Sequence, residues 1–252
     1  MWPTLFRFFA PWLLLTIGFL TACSPHFKAT YVRQNKTIAI QEPIAPDSAF
    51  TALIAPYKSQ LDEKMNQVIG KADTTLHKMG IESPLGNFVA DLIRTQALKY
   101  GAKSVDMGLT SSGGLRIPIA AGDITVSKMY ELMPFENEIW VLTLDGATLL
   151  QLFEHLARVK NLSISNSQVI IEKEAVKQVL INGQPLKPES TYTLATSDYL
   201  ALGGDNLNLL KGAKATQALP VKLRDAIIDH IEWLTREGKT VTARVEGRVL
   251  VK

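Results

Sequence analysis

The spacing of apolar positions changes period several times along this chain of 252 residues, and each change marks an expected element. Arg7 precedes an apolar run, Ala10–Leu20, that ends in Leu20-Thr21-Ala22-Cys23 with small residues on the cleavage side. A positive start, an apolar stretch and a small-residue end predict a signal peptide over 1–22. About 15 residues separate Arg7 from Cys23, short of the ~20 that a membrane span needs. The polar stretch 23–48, with Pro25, Pro43 and Pro46, predicts a surface tether. Phe50, Leu53, Ile54, Tyr57, Leu61 and Met65 recur three and four apart and predict a leading helix over 49–68, which Pro56 should kink or begin.

Ser83 as N-cap and Pro84 in the first helical position open a second helix to about Lys99, with Leu85, Phe88, Val89, Leu92 and Ile93 on one stripe. Val105–Leu109 predicts a short buried strand. Ile139–Leu144 predicts another, followed by a turn at Asp145-Gly146 and a helix over Ala147–Val159 with Leu149, Leu152, Phe153 and Leu156 inward. Val179-Leu180-Ile181 before Asn182-Gly183 predicts a hairpin, and Tyr192–Thr196 a strand. Pro220 is expected to start a long helix carrying Leu223, Ile227, Ile231 and Leu234 on one face, and Val241–Val251 reads as a closing strand. Interleaved helices and strands predict an α/β fold of α+β type: a single domain, 69–252, with a mixed β-sheet flanked by helices.

Composition narrows the function. Hydrophobic residues make up 46% of the chain, enough for a core. The formal charge of +3 falls to +2 once Arg7 leaves with the leader, and no basic run interleaves with aromatics, so nucleic acid is not an expected partner. Cys23 is the single cysteine, so no disulfide can form within the chain and stability rests on the core.

Three segments combine glycines, polar groups and rings. In Thr110-Ser111-Ser112-Gly113-Gly114-Leu115-Arg116, paired glycines after a strand permit unusual dihedrals and close backbone approach, and Arg116 offers a fork of donors. A tight turn with a solvated arginine is the plainer reading. In Tyr130–Asn137, Pro134 restrains the backbone, Phe135 offers a ring and Asn137 a donor and an acceptor; a core phenylalanine at a strand entry explains it equally well. In Asp198–Asn206, Gly203-Gly204 make a loop that aims Asp205 while Tyr199 supplies a second ring, unless this is a glycine turn with an exposed acid. A flat ligand between Phe135 and Tyr199 would gain about 1–3 kcal/mol per stacked face.

In order and spacing, Glu82–Asn87, Ser112–Arg116, Pro134–Asn137 and Tyr192–Asp205 resemble the 5′-nucleotidase C-terminal domain, with similarity from about Ile69 to Lys252. The resemblance implies a substrate-recognition half of an exported nucleotidase. It implies that Phe135 and Tyr199 clamp the nucleobase and that Asn137 contacts its edge. Asp205 and Arg116 would hold the ribose and phosphate side, beside Gly113 and Gly114. Ser111 stands where the family often has asparagine. Glu136 stands where a glycine is common, which places bulk and negative charge beside the base. Upstream of Glu82 the nearby cations are Lys71 and Lys78.

Residues 20–23 resemble a bacterial lipobox, which implies that Cys23 is lipidated and becomes the mature N-terminus; a free thiol, after cleavage or in an uncleaved anchor, is the alternative. Several acyl chains would anchor the protein stably in the cell envelope, and Ser24 in place of an acidic residue favours an outer membrane.

In the resembled family hydrolysis belongs to a separate metallophosphoesterase domain with two divalent metals held by His, Asp and Asn. Here the four histidines, His26, His77, His155 and His230, form no metal-ligand spacing, and Ser112 lacks a nucleophile elbow. With 25 residues between the cleavage site and Ser48, no such domain is expected, so this chain should hold no metal or other cofactor. Three readings follow: the substrate-binding half of a split nucleotidase with a separately encoded metallophosphatase partner; a nucleoside- or nucleotide-binding lipoprotein without turnover; or a structural protein without ligand.

Overall fold

Asp47 fixes where the first described helix begins. The computed structural model describes residues 45–252, and the leader, Cys23 and most of the expected tether lie outside them. The Asp47 carboxylate accepts from the Phe50 amide at 2.9 Å, and helix α1 spans Ser48–Met65. That cap, rather than Pro56, sets the start, and the helix continues through the proline. None of its residues is buried, and Leu53, Tyr57 and Leu61 are exposed. Among the described residues no helix is long and apolar enough to cross a membrane.

Residues Ala52–Lys252 form one compact unit. Strand β1 is Val68–Ala72 and helix α2 is Pro84–Lys99. The Ser83 hydroxyl accepts from the Gly86 amide at 3.1 Å, Pro84 occupies the first turn, and the expected apolar stripe is buried. Gly86 lets this helix press on the sheet, since a Cβ there would lie 1.9 Å from Ser163 Oγ. Next come β2 Met107–Ser111, β3 Gly122–Thr125, α3 Val126–Leu132 and β4 Glu138–Asp145. Helix α4 is Gly146–Val159. Asp145 and Gly146 do not form the expected turn: Asp145 accepts from the Thr148 amide at 2.8 Å and caps the helix. Leu149, Leu152, Phe153 and Leu156 point inward as expected.

The remaining elements are β5 Leu162–Ser165, β6 Ser167–Glu172, β7 Ala175–Ile181, β8 Gln184–Pro185, β9 Thr191–Ser197, α5 Asp198–Ala201, β10 Ala215–Lys222, α6 Leu223–Arg236 and β11 Val249–Val251. The β7–β8 hairpin turns on Asn182 and Gly183, both at positive φ. Pro220 does not open a helix. It lies in β10, an edge strand whose register with β4 shifts between Ala218 and Lys222, where a residue without an amide hydrogen is tolerated. The expected closing strand shrinks to β11 and one bridge, Val241 to Ala72.

A five-stranded mixed sheet, ordered β10-β4-β9-β2-β5, divides two cores. Alternation along β4 sends Ile139 and Val141 into the core of α2, α3 and α6, and Leu142 and Leu144 into that of α4 and the four-stranded sheet β11-β6-β7-β8. The fold is mixed α/β, with sheets flanked by helices.

Candidate functional site

Strands β2 and β9 run parallel, and β4 pairs antiparallel with β9, so the ends of β2 and β9 meet the beginning of β4. Three loops leave this corner and enclose a cleft of about 790 Å³. Gly113, Gly114, Arg116, Phe135, Asn137, Tyr199 and Asp205, taken from three distant stretches of sequence, all line it.

The loop after β2 is anchored by buried Ser111 and Leu115; the Gly114 amide donates to the Ser111 carbonyl at 3.2 Å, and Ser112 N to the Asn161 carbonyl at 2.8 Å. Neither Gly113 nor Gly114 has the positive φ their pairing suggested. A Cβ on Gly113 would reach Asp205 Oδ2 only at 3.7 Å, so glycine here widens the floor of the cleft rather than relieving strain. The Arg116 side chain bends back, Nη1 donating to the Gly113 carbonyl at 3.3 Å, and its guanidinium carbon lies 5.9 Å from the centre of the Phe135 ring.

The second wall is the connection from α3 to β4, residues 133–137. Phe135 is 40% exposed, so its ring faces the cleft and is not a core residue. Asn137 Nδ2 donates to Asp198 Oδ1 at 2.7 Å. A carboxylate only accepts, so the amide nitrogen must face Asp198, and Oδ1 stays free as an acceptor. Glu136 brings the expected bulk, but its charge is neutralised: one oxygen meets Lys222 Nζ and the other Arg224 Nη2. The hydrogen bonds from Lys222 and Arg224 hold its carboxyl down to about 2.

The third wall follows β9. Ser197 caps α5 by accepting from the Leu200 amide at 3.3 Å. The Tyr199 hydroxyl donates to Asp205 Oδ1 at 3.0 Å and accepts from the Asp205 amide at 3.3 Å. Gly204 makes this closure possible, since a Cβ there would lie 2.4 Å from the Tyr199 ring. Gly203 turns at φ 90°, and Asp205 itself adopts a left-handed φ of 51°. Asp205 Oδ2 is buried without a partner among the described residues and faces Gly113.

Chemically, the cleft offers two ring faces, an amide acceptor, a carboxylate and a guanidinium. Lys71 and Lys78 do not line it: Lys71 lies 3.4 Å from Asp123, and Lys78 donates to the Leu115 carbonyl at 2.6 Å. Among the described residues the histidines do not gather into a cluster of metal ligands. His26 lies outside the described residues, and His155 Nε2 is buried without a partner among them. His230 sits between the rings of Phe88 and Trp233, beside a second cavity of about 510 Å³, and burial lowers its pKa. Among the described residues no three His, Cys, Asp or Glu side chains cluster as metal ligands. The sequence reading missed Lys222 and Arg224; nothing around them signals a role, because their partner Glu136 lies 86 and 88 residues away.

The family described as 5′-nucleotidase, C-terminal domain matches residues 67–212. Protein UshA of Yersinia enterocolitica is 30% identical over 207 residues, covering 77% of this chain and 35% of that protein. An apyrase of Tabanus yao is 27% identical over 219 residues, 75% of this chain and 39% of the apyrase. A 5′-nucleotidase precursor from Thermus thermophilus superposes with a TM-score of 0.69 at 27% identity, covering 82% of this chain and 44% of that one. The chain thus spans less than half the length of these relatives.

Proposed function

This chain belongs to the 5′-nucleotidase C-terminal domain family, and from that premise we propose that it is the substrate-recognition half of a split 5′-nucleotidase-type phosphohydrolase. It takes a nucleotide or nucleoside into the cleft of about 790 Å³ and acts with a separately encoded metallophosphatase. The convergence of Phe135, Asn137, Tyr199, Asp205 and Arg116 on one cleft carries the reading. The two rings sandwich the base, Asn137 Oδ1 meets a donor on its edge, Asp205 Oδ2 accepts from a ribose hydroxyl, and Arg116 faces the phosphate side. The Thermus thermophilus relative is named as a 5′-nucleotidase precursor, which supports a nucleotide ligand.

Hydrolysis and its divalent metals belong to the partner in this proposal, because the described residues of this chain gather no ligand set. Lipid on Cys23 holds the protein in the cell envelope. Calorimetry tests the recognition step: Phe135→Ala combined with Tyr199→Ala abolishes adenosine binding with the fold retained, and unchanged affinity refutes the clamp. Purified protein incubated with AMP and Mn²⁺ or Mg²⁺ releases no phosphate. Binding that persists with no metallophosphatase recovered in a pull-down would instead favour a nucleoside-binding lipoprotein without turnover.

A further inference from the structure

The wall that carries Phe135 is held by residues outside the cleft's own loops. Residues 133–137 belong to no helix or strand, Pro134 has no amide hydrogen to donate, and Phe135 is 40% exposed. Three consecutive residues at the junction of β10 and α6 supply the restraint. The Leu223 amide donates to the Asn137 carbonyl at 2.7 Å, and Lys222 pairs with Glu136. Arg224, 4% exposed, sends Nη1 to the carbonyls of Met133 and Phe135, at 3.4 and 3.2 Å, and Nη2 to Glu136. Its guanidinium stacks on Tyr130 of α3, 4.1 Å from the ring centre.

We propose that Arg224 is a positioning residue for base recognition: its fork fixes the backbone of 133–136 and so pre-sets the Phe135 ring before the ligand arrives. The inference rests on the nucleotide-binding reading above. Several donors in one rigid plane are needed, because two carbonyls and a carboxylate are engaged together; an ammonium cannot span them. A ring held in its bound position loses less freedom on binding, which strengthens the complex without a new ligand contact. Glu136 is then a strut for Arg224 and Lys222 rather than a group that repels the ligand.

A double-mutant cycle on the full chain tests this, with adenosine and ribose 5-phosphate as calorimetric probes. Arg224→Lys weakens adenosine binding about fivefold or more, the scale of one lost charge-assisted hydrogen bond. It leaves ribose 5-phosphate, which has no base, unchanged, and adds nothing further in a Phe135→Ala background. A general loss of structure would weaken both probes and would add to Phe135→Ala. Should Arg224→Lys not fold, Glu136→Gln, at an exposed position, shows the same pattern at smaller amplitude. Unaltered adenosine affinity in the foldable variant, or losses that add in the double variant, overturn the inference while the clamp stands. If Phe135→Ala itself leaves adenosine binding intact, the clamp fails and the inference fails with it.

Discussion

The two aromatic walls of the cleft are built by opposite means. Tyr199 is held by its own loop: a serine cap two residues before it, a hydroxyl closed on Asp205 six residues later, and Gly204 beneath the ring. Phe135 is held from afar by Lys222, Leu223 and Arg224, with no bond from its own side chain. The first wall is set mainly by local chain chemistry, with Asn137 of the second donating to its Asp198. The second exists only when β10 has docked beside β4 and delivered the start of α6. A ligand stacked between the rings therefore reads both a turn and a tertiary contact.

The largest expected effect comes from the local wall. Gly204→Ala forces the Tyr199 ring aside and lowers adenosine affinity about tenfold to a hundredfold, the equivalent of one stacked face; calorimetry that finds wild-type affinity would show that the ring has room to move. Tyr199→Phe keeps the face and removes the two Asp205 contacts, so the loss is smaller, about fivefold. It should fall on ribose-bearing ligands as much as on the base if Asp205 needs the hydroxyl for its aim.

The remote wall differs in its response to acid. Glu136 has its carboxyl depressed from 4.5 to about 2, so its pairing is complete above about 4.5 and is lost only as pH falls through about 2. Adenosine affinity consequently stays flat between about pH 8 and 5. His230, half-buried on α6, behaves otherwise. Burial lowers the pKa of His230 below its ordinary 6.5, so the unfolded chain takes up that proton first. Stability is full above 6.5 and declines as pH falls below it, a fall in Tm that His230→Gln removes. An acid-sensitive affinity with a flat Tm would reverse both assignments.

How much was legible in the chain follows the same division. The Ser83 cap, the Asn182-Gly183 hairpin and the inward stripe of α4 were readable because neighbouring residues decide them. Asp145 and Pro220 misled, since a turn-like pair can equally cap a helix, and an edge strand with a shifted register accepts a proline. The seven cleft residues were recognisable as types, but their meeting at one corner required the parallel pairing of β2 with β9.

The amino-acid sequence by itself therefore determined many of the elements, the family and the inventory of rings, amide, carboxylate and guanidinium. Only the tertiary structure decided that Glu136 is paired, that Arg224 lies behind Phe135, and that Asn137 presents its oxygen. The physical reason is range: periodicity and caps are written within one or two turns, whereas a partner 88 residues away is chosen by sheet order and burial.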